Sequence, residues 1–300
     1  MIDAQTFQSL RSHLFSIAYR MLSSAAEAED VVQDTWLRAA SAPDELESAR
    51  AWMTTVVTRL CLDRLKSARA RREEYVGPWL PEPVPTEAID SAEETASRRE
   101  SVSMAFLVLL ETLTPAERAA FILREIFDDD YADVARILET TPAAARQLVH
   151  RAKTRISENR PRFQASPERQ REIVSKFFAA VQAGDLEALQ AHLAADVVLS
   201  ADSGGKVAAA RQPVFGADNV SRLLIGVWKK GAQLLDPSGQ GWRADMRSIN
   251  GEMALVLHLG SELNTVFVCS TGDDDRIAAI NVIRNPDKLR WLAGTLASRQ

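Results

Sequence analysis

The chain has 300 residues, of which 46% are hydrophobic and 26% charged, with a formal net charge of −5. That length holds two ordinary domains or three small ones, and the composition is that of a soluble globular protein able to bury real cores. No stretch approaches the roughly eighteen uncharged apolar residues of a membrane span, and from the amphipathic start MIDAQTFQSLRSHLF no signal peptide is expected.

The acidic total hides two basic stretches. Arg59, Arg64, Lys66, Arg69, Arg71 and Arg72 face only Asp63, and Arg146, Arg151, Lys153, Arg155, Arg160 and Arg162 face only Glu158. Phosphate binding depends on such local clustering more than on overall charge; the competing reading is two solvated helix faces. Cys61 and Cys269 sit far apart in apolar segments and read as small buried hydrophobes of a reducing compartment.

In chain order, Phe7, Leu10, Leu14, Ile17 and Met21 recur at helical spacing and predict a first helix. A second is expected over about 25–40, with Val31, Val32, Thr35, Trp36 and Ala39 inward. A break at Ser41–Glu45 precedes a third, roughly 48–72, with Trp52, Val56 and Leu60 on one face and a basic C-terminal end that suits the helix dipole. Gly77–Pro85 carries four prolines and excludes a helix; Trp79 and Leu80 in so stiff a segment suggest docking on a neighbouring domain. A second helical region spans about 91–160. Thr114-Pro115-Ala116-Glu117 is a capped helix start. A helix over 131–139, the break Thr140-Thr141-Pro142 and a basic helix to about Ile156 make a helix-turn-helix, with Ala145, Leu148, Val149 and Ala152 inward. From Glu168 the character changes. Two helices around Phe177 and Leu189 precede strand-like runs at 196–201, 242–250, 253–259, 264–270 and 276–284, with further helices near 218–230 and 287–297. Asn250-Gly251 marks a hairpin. The last segment is therefore an α+β domain.

Ala28-Glu29-Asp30-Val31-Val32-Gln33-Asp34-Thr35-Trp36-Leu37-Arg38 resembles the second conserved region of extracytoplasmic-function sigma factors. The resemblance implies that Asp30, Gln33 and Asp34 contact the β′ clamp of the RNA polymerase core, with Trp36 in the core of the domain. Ala51–Leu65 is similar to the family's next helix, which recognises and opens the promoter −10 element, although Thr58-Arg59 stands where the family often has Asn. Arg59, Asp63, Arg64, Lys66, Arg69 and Arg71 are the implied −10 set, the cations holding phosphates, and the loop 41–48 would capture a flipped base. Leu113-Thr114-Pro115-Ala116-Glu117-Arg118 resembles the opening of the family's fourth region. It places Arg146, Gln147, His150, Arg151 and Lys153 toward the −35 element, where Arg and Gln suit guanine and adenine edges.

Trp79-Leu80-Pro81-Glu82-Pro83 looks like the linker signature of the subgroup with a fused SnoaL-like extension. Asp202-Ser203-Gly204-Gly205-Lys206-Val207 and Asn285-Pro286-Asp287-Lys288-Leu289 resemble the extension's own marks, the first with one serine in place of glycine. The implied architecture is multidomain: an all-α sigma region 2 (1–75), a proline-rich linker (76–95), an all-α helix-turn-helix region 4 (96–162) and a cone-shaped α+β SnoaL-like domain (168–300). The implied function is promoter recognition by core polymerase in the cytoplasm, modulated in cis by contact of the extension with the sigma domains. The resemblance implies no enzyme activity and no membrane partner. Two other readings stand beside it. SnoaL-like folds include enzymes, and Asp196, Asp202 and His258 are the candidates; a stand-alone transcription factor with a ligand-sensing domain would need the helix-turn-helix but not the Asp30–Arg38 motif. No zinc, P-loop or dinucleotide signature occurs, and Asp128–Asp130 and Asp273–Asp275 read as turns or caps, so no metal or cofactor is expected.

Overall fold

The computed structural model describes residues 2–39, 46, 48–73, 75–89, 101–158, 166–231, 241–272 and 274–298. They divide into two units, Met1–Glu74 with Glu87–Arg160, and Tyr75–Thr86 with Pro161–Gln300.

In the first unit Asp3 opens α1 (Ala4–Leu22) by accepting the Thr6 N–H at 2.7 Å, and Ser23 closes it in the left-handed region at φ 56°. Helices α2 (Ala25–Ala39) and α3 (Ala49–Glu73) pack on it. Leu14, Ile17, Met21, Val31, Val32, Met53, Val57 and Cys61 are buried. Trp36 is half-buried with its ring 4.8 Å from that of Phe7. The α3 face shared by Trp52, Val56 and Leu60 is only partly covered. Met53, Val57 and Leu60 are buried, whereas Trp52 and Val56 are only half so. The reason is that α3 packs on two sides, against α1 and α2 and also against the later helices of the same unit, so it carries no single apolar stripe.

Those later helices are α4 (Met104–Leu110), α5 (Pro115–Phe121), α6 (Tyr131–Ile137) and α7 (Pro142–Glu158). The Thr114–Glu117 capping box forms as predicted, with Pro115 in the first turn. A π-turn at Ile122–Ile126 continues α5. Helix α6 ends at Ile137, two residues short of the expected end, because Glu139 takes φ 53° and turns the chain toward α7. Ala120, Leu123, Val134, Ala135, Ile137, Ala145 and Val149 form the helix-turn-helix core.

One buried charge ties the two halves of this unit together. The Arg118 guanidinium donates to the Met21 carbonyl at the end of α1 (2.7 Å) and to Glu111 (2.8 Å), which also accepts from Ser23 (2.7 Å). Burial lowers the Arg118 pKa, so the Glu111 carboxylate is what makes a charge tolerable there. Glu111→Ala should therefore destabilise the first unit by about 3 kcal/mol, the low end of the cost of orphaning a buried charge. Urea unfolding followed through helix content checks this, and a midpoint unchanged from wild type contradicts it.

In the second unit α8 (Pro167–Ala183) starts at a Ser166 cap and stops at Gly184, φ 67°; α9 (Leu186–Ala191) follows. The sheet runs β2-β1-β6-β5-β4-β3, with β1 (Leu193–Asp202), β2 (Val214–Phe215), β3 (Trp242–Ile249), β4 (Glu252–Leu259), β5 (Glu262–Thr271) and β6 (Ile277–Ile283). All pairs are antiparallel except β1 with β6. Asn250 and Gly251 turn the β3–β4 hairpin at φ 55° and 73°, the two positive values that a primed turn requires. Alternation then sorts the sheet. Leu199, Met253, Leu255, Leu257, Phe267, Cys269, Ile280 and Val282 share a core with Phe177 and Phe178 of α8 and with Val220 and Leu224 of α10 (Ala217–Gly231). The alternate residues Ala254, Val256, Val266 and Val268 are buried on the opposite face, where α11 (Pro286–Ala297) packs on β5. Both cysteines are buried, and burial raises both thiols. Among the described residues no helix is long and apolar enough to cross a membrane.

Candidate nucleic-acid interface

Helix α2 presents Asp30, Gln33 and Asp34 along one side, Asp30 and Gln33 exposed and Asp34 half-buried. Leu37, which the sequence reading passed over, completes the stripe and is 68% exposed. Its spacing, i+3 from Asp34 and i+4 from Gln33, was the signal available in sequence; its exposure was not.

The cations of α3 have different surroundings from one another. Arg59 donates Nε to the Ile137 carbonyl and Nη2 to the Arg136 carbonyl, both at 3.2 Å, and pairs with Glu139 at 3.1 Å. It thereby caps the C-terminus of α6. Arg64 lies between the acids of α2, reaching Asp34 at 3.0 Å and Asp30 at 3.5 Å. Lys66 and Asp63 pair at 2.9 Å on the exposed side. The Arg69 and Arg71 side chains, and most of the loop 41–48, lie outside the described residues.

On α7, Arg146, Gln147 and His150 are exposed. Arg146 lies over the Tyr131 ring at 5.1 Å, with Arg124 over the same ring at 5.0 Å, so two cations flank one aromatic. Arg151 is partly committed inward. It donates to Glu117 Oε1 and Arg155 to Glu117 Oε2, each at 2.9 Å, while Lys153 pairs with Glu125 at 2.6 Å. Sequence reasoning gave no role to Tyr131 or Arg124 and counted Arg155 only within the basic stretch. The i, i+4 spacing of Arg151 and Arg155 was visible, but their shared partner lies more than thirty positions away.

Glu117 is buried and also accepts from Thr114 N at 3.0 Å and Thr114 Oγ1 at 2.8 Å. Burial pushes its carboxyl up, but the Thr114 and Arg151 hydrogen bonds and the Arg155 charge outweigh that, leaving it below its ordinary value. A depressed carboxyl contributes stability that is present above its unfolded pKa, near 4.5, and lost as pH falls through the lower folded value. Glu117→Gln should cost about 1–3 kcal/mol, the range for charge-assisted hydrogen bonds. It should also flatten the stability profile below pH 4.5; unfolding midpoints taken from neutral pH downward check both, and a parallel acid limb in wild type and variant contradicts the assignment.

The marks of the linker and the extension converge. Asp202, at the end of β1, is fully buried. Its carboxylate accepts from the Leu80 N–H (2.8 Å), Lys288 Nζ (2.7 Å) and the Tyr75 hydroxyl. Lys288 also donates to the Leu80 carbonyl and lies over the rings of Trp79 (3.9 Å) and Tyr75 (5.1 Å). Asn285 caps α11 and donates to Tyr75 at 2.8 Å, and Lys206 pairs with Asp287. Burial and Asp202 together raise the Tyr75 pKa. Gly204, at φ 56°, passes so close that an added Cβ would lie 2.5 Å from the Asn285 amide and 3.1 Å from the Tyr75 hydroxyl, which is why glycine stands there. Pro81, Glu82 and Pro83 are buried. Val84 and Asn250 exchange two hydrogen bonds (2.9 and 3.0 Å), and Thr86 receives the Gly251 N–H at 2.8 Å. Pro286 occupies the first turn of α11. Tyr75, Val84 and Asn250 were not among the expected contacts. Asp202→Ala would leave Lys288 buried without its carboxylate, at about 3 kcal/mol. Amide exchange at Leu80, Glu82, Val84 and Thr86 should then quicken by roughly a hundredfold; unchanged protection contradicts the grip described.

The catalytic candidates do not converge. Asp202 is taken by Lys288, Asp196 is exposed on β1, and His258 is on β4, three strands further along the sheet, on the face opposite the Leu257 core.

Residues 6–71 match the Sigma-70 region 2 family and residues 103–156 match Sigma-70, region 4. The chain is similar to the ECF RNA polymerase sigma factor SigJ of Mycobacterium tuberculosis, 37% identical over 299 residues that cover 96% of this chain and 93% of the relative. The probable ECF RNA polymerase sigma factor SigI of the same organism is 33% identical over 260 residues, 85% of this chain and 88% of that one. The crystal structure of M. tuberculosis SigJ superposes with a TM-score of 0.72 at 34% identity, covering 96% of this chain and 98% of that one.

Proposed function

The chain belongs to the extracytoplasmic-function family of RNA polymerase sigma factors, and from that premise we propose which of its surfaces does which part of the work. A sigma factor is an initiation factor and not an enzyme: it binds core polymerase and promoter DNA. The polymerase surface is the α2 stripe Asp30, Gln33, Asp34 and Leu37. Three polar groups around one bare leucine fit a basic helical partner with an apolar centre. This exposed stripe is the observation that carries the reading.

For DNA, the exposed face of α7 is the −35 reader, with Arg146, Gln147 and His150 as base-edge candidates; Arg151 and Lys153 serve phosphates from positions fixed by Glu117 and Glu125. The −10 element falls to α3, with Lys66, Arg69 and Arg71 as its cations, while Arg59, committed to the end of α6, holds α3 in place. The extension acts through the linker: Asp202 and Lys288 hold Tyr75 and Leu80, and the chain must pass through that segment between its two helical parts. The protein works in the cytoplasm, beside polymerase.

Transcription reconstituted from purified core enzyme and this chain tests the assignment. Asp30→Ala combined with Asp34→Ala should abolish core association and run-off transcript together, whereas Arg146→Ala should narrow discrimination between matched and altered −35 elements by about 1–3 kcal/mol. Retained core association in the double variant sinks the polymerase assignment. Asp202→Ala should change transcript yield at saturating core; identical yield with an opened linker speaks against action through the linker.

A further inference from the structure

Arg64 was placed by sequence among the cations of the −10 reader, yet its surroundings point elsewhere. It extends from α3 to the exposed edge of α2, where Nη2 meets Asp34 Oδ2 at 3.0 Å and Nη1 meets both Asp30 Oδ2 at 3.5 Å and the Glu27 carbonyl at 3.2 Å. Its side chain is 27% exposed, against 66% for Asp30 and 45% for Asp34. The guanidinium is thus the covered member of the group and the carboxylates are the presented ones. We propose that Arg64 is a positioning residue for polymerase binding, holding Asp30 and Asp34 in the arrangement that docks, and not a phosphate contact. The proposal rests on the assignment of α2 as the polymerase surface.

The physical need for such a residue is local. Asp30 and Asp34 are like charges at i and i+4, which repel on a helix surface, and Glu27 stands one turn before them. On an exposed helix both aspartates also sample several rotamers, an entropy that docking has to remove. A planar cation anchored through Nη1 to the Glu27 carbonyl offsets both costs before the partner arrives. It grips each carboxylate by Oδ2, and the exposure of both side chains leaves the carboxylates open to solvent-side donors. A guanidinium with both Nη groups so occupied would have to abandon α2 to reach a phosphate.

Affinity for purified core enzyme, read by fluorescence anisotropy of the labelled full chain, tests this. Arg64→Ala should weaken core binding about three- to fivefold, the scale of an exposed ion pair, with Arg64→Lys in between. In an Asp30→Asn, Asp34→Asn background the same change should have no further effect, because nothing remains to be positioned. The salt dependence of promoter binding by preassembled holoenzyme should keep its slope. The proposal is overturned by unchanged core affinity in Arg64→Ala, by an equal loss in the asparagine background, which marks a merely structural role, or by a slope reduced by about one, which marks a phosphate contact. The asparagine pair alone separates the two levels. If it binds core as tightly as wild type, the polymerase surface itself is wrong and the proposal falls with it; if it binds weakly while Arg64→Ala does not, only the role of Arg64 fails.

Discussion

A carboxylate taken out of water has to be given donors, and the donors it collects decide which parts of the chain lie together. Asp202 is the strongest case. Buried at the end of β1, it gathers a lysine from α11, a backbone N–H from Leu80 and the hydroxyl of Tyr75. None of these is near it in sequence, and none alone satisfies it. An isolated buried ion pair stabilises little because desolvation offsets the attraction. Here the pair is completed by a backbone amide, a backbone carbonyl and two aromatic faces, so the linker is held as part of the electrostatic solution. Removing the linker would expose an unsatisfied acid and an unsatisfied lysine at once.

Glu117 plays the same part in the first unit at a shorter range. It is the third residue of its helix, where a glutamate ordinarily serves only the capping box. Because α7 packs over it, the same carboxylate also takes Arg151 and Arg155. The start of α5 and the outer face of α7 are thereby fixed to each other by one side chain. That geometry sets where Arg146, Gln147 and His150 point, since they share a helix whose rotation the two arginines hold. Specificity for a base edge requires such a rotation to be fixed before DNA arrives.

What could be read from sequence follows the range of the interaction. The Thr114–Glu117 box, the Thr141 start of α7 and the Asn250-Gly251 turn depend on neighbours within a few positions, and all three formed. The resemblance of 28–38 and 51–65 to sigma region 2 located α2 and α3 because helices declare themselves by period. Pairings across tens or hundreds of positions were not legible. Nothing local says that Arg59 caps α6, that Arg64 bridges two acids of α2, or that Asn250 meets Val84. How deeply each face of α3 is buried was hidden for a related reason: a helix packed on two sides has no single stripe for periodicity to find. The motif residues Asp202, Gly204, Asn285 and Lys288 were picked out as marks, but only the structure gives them one purpose, the holding of Tyr75 and Leu80.

The two basic stretches that first drew attention to nucleic acid therefore contain two kinds of cation. Arg59, Arg64, Arg151 and Arg155 have acceptors inside the first unit, and each fixes one helix relative to another. Arg146 and Lys66 sit on exposed faces, one against an aromatic ring and one beside a single solvated aspartate, where a phosphate or base edge can compete for them. Charge counting adds these groups together, and so overstates the surface available to DNA while missing the reason the surface has a shape. An acidic chain can bind a polyanion because its carboxylates are spent orienting part of its cations. Arg146 and Lys66 face outward on helices that those internal pairs hold in place.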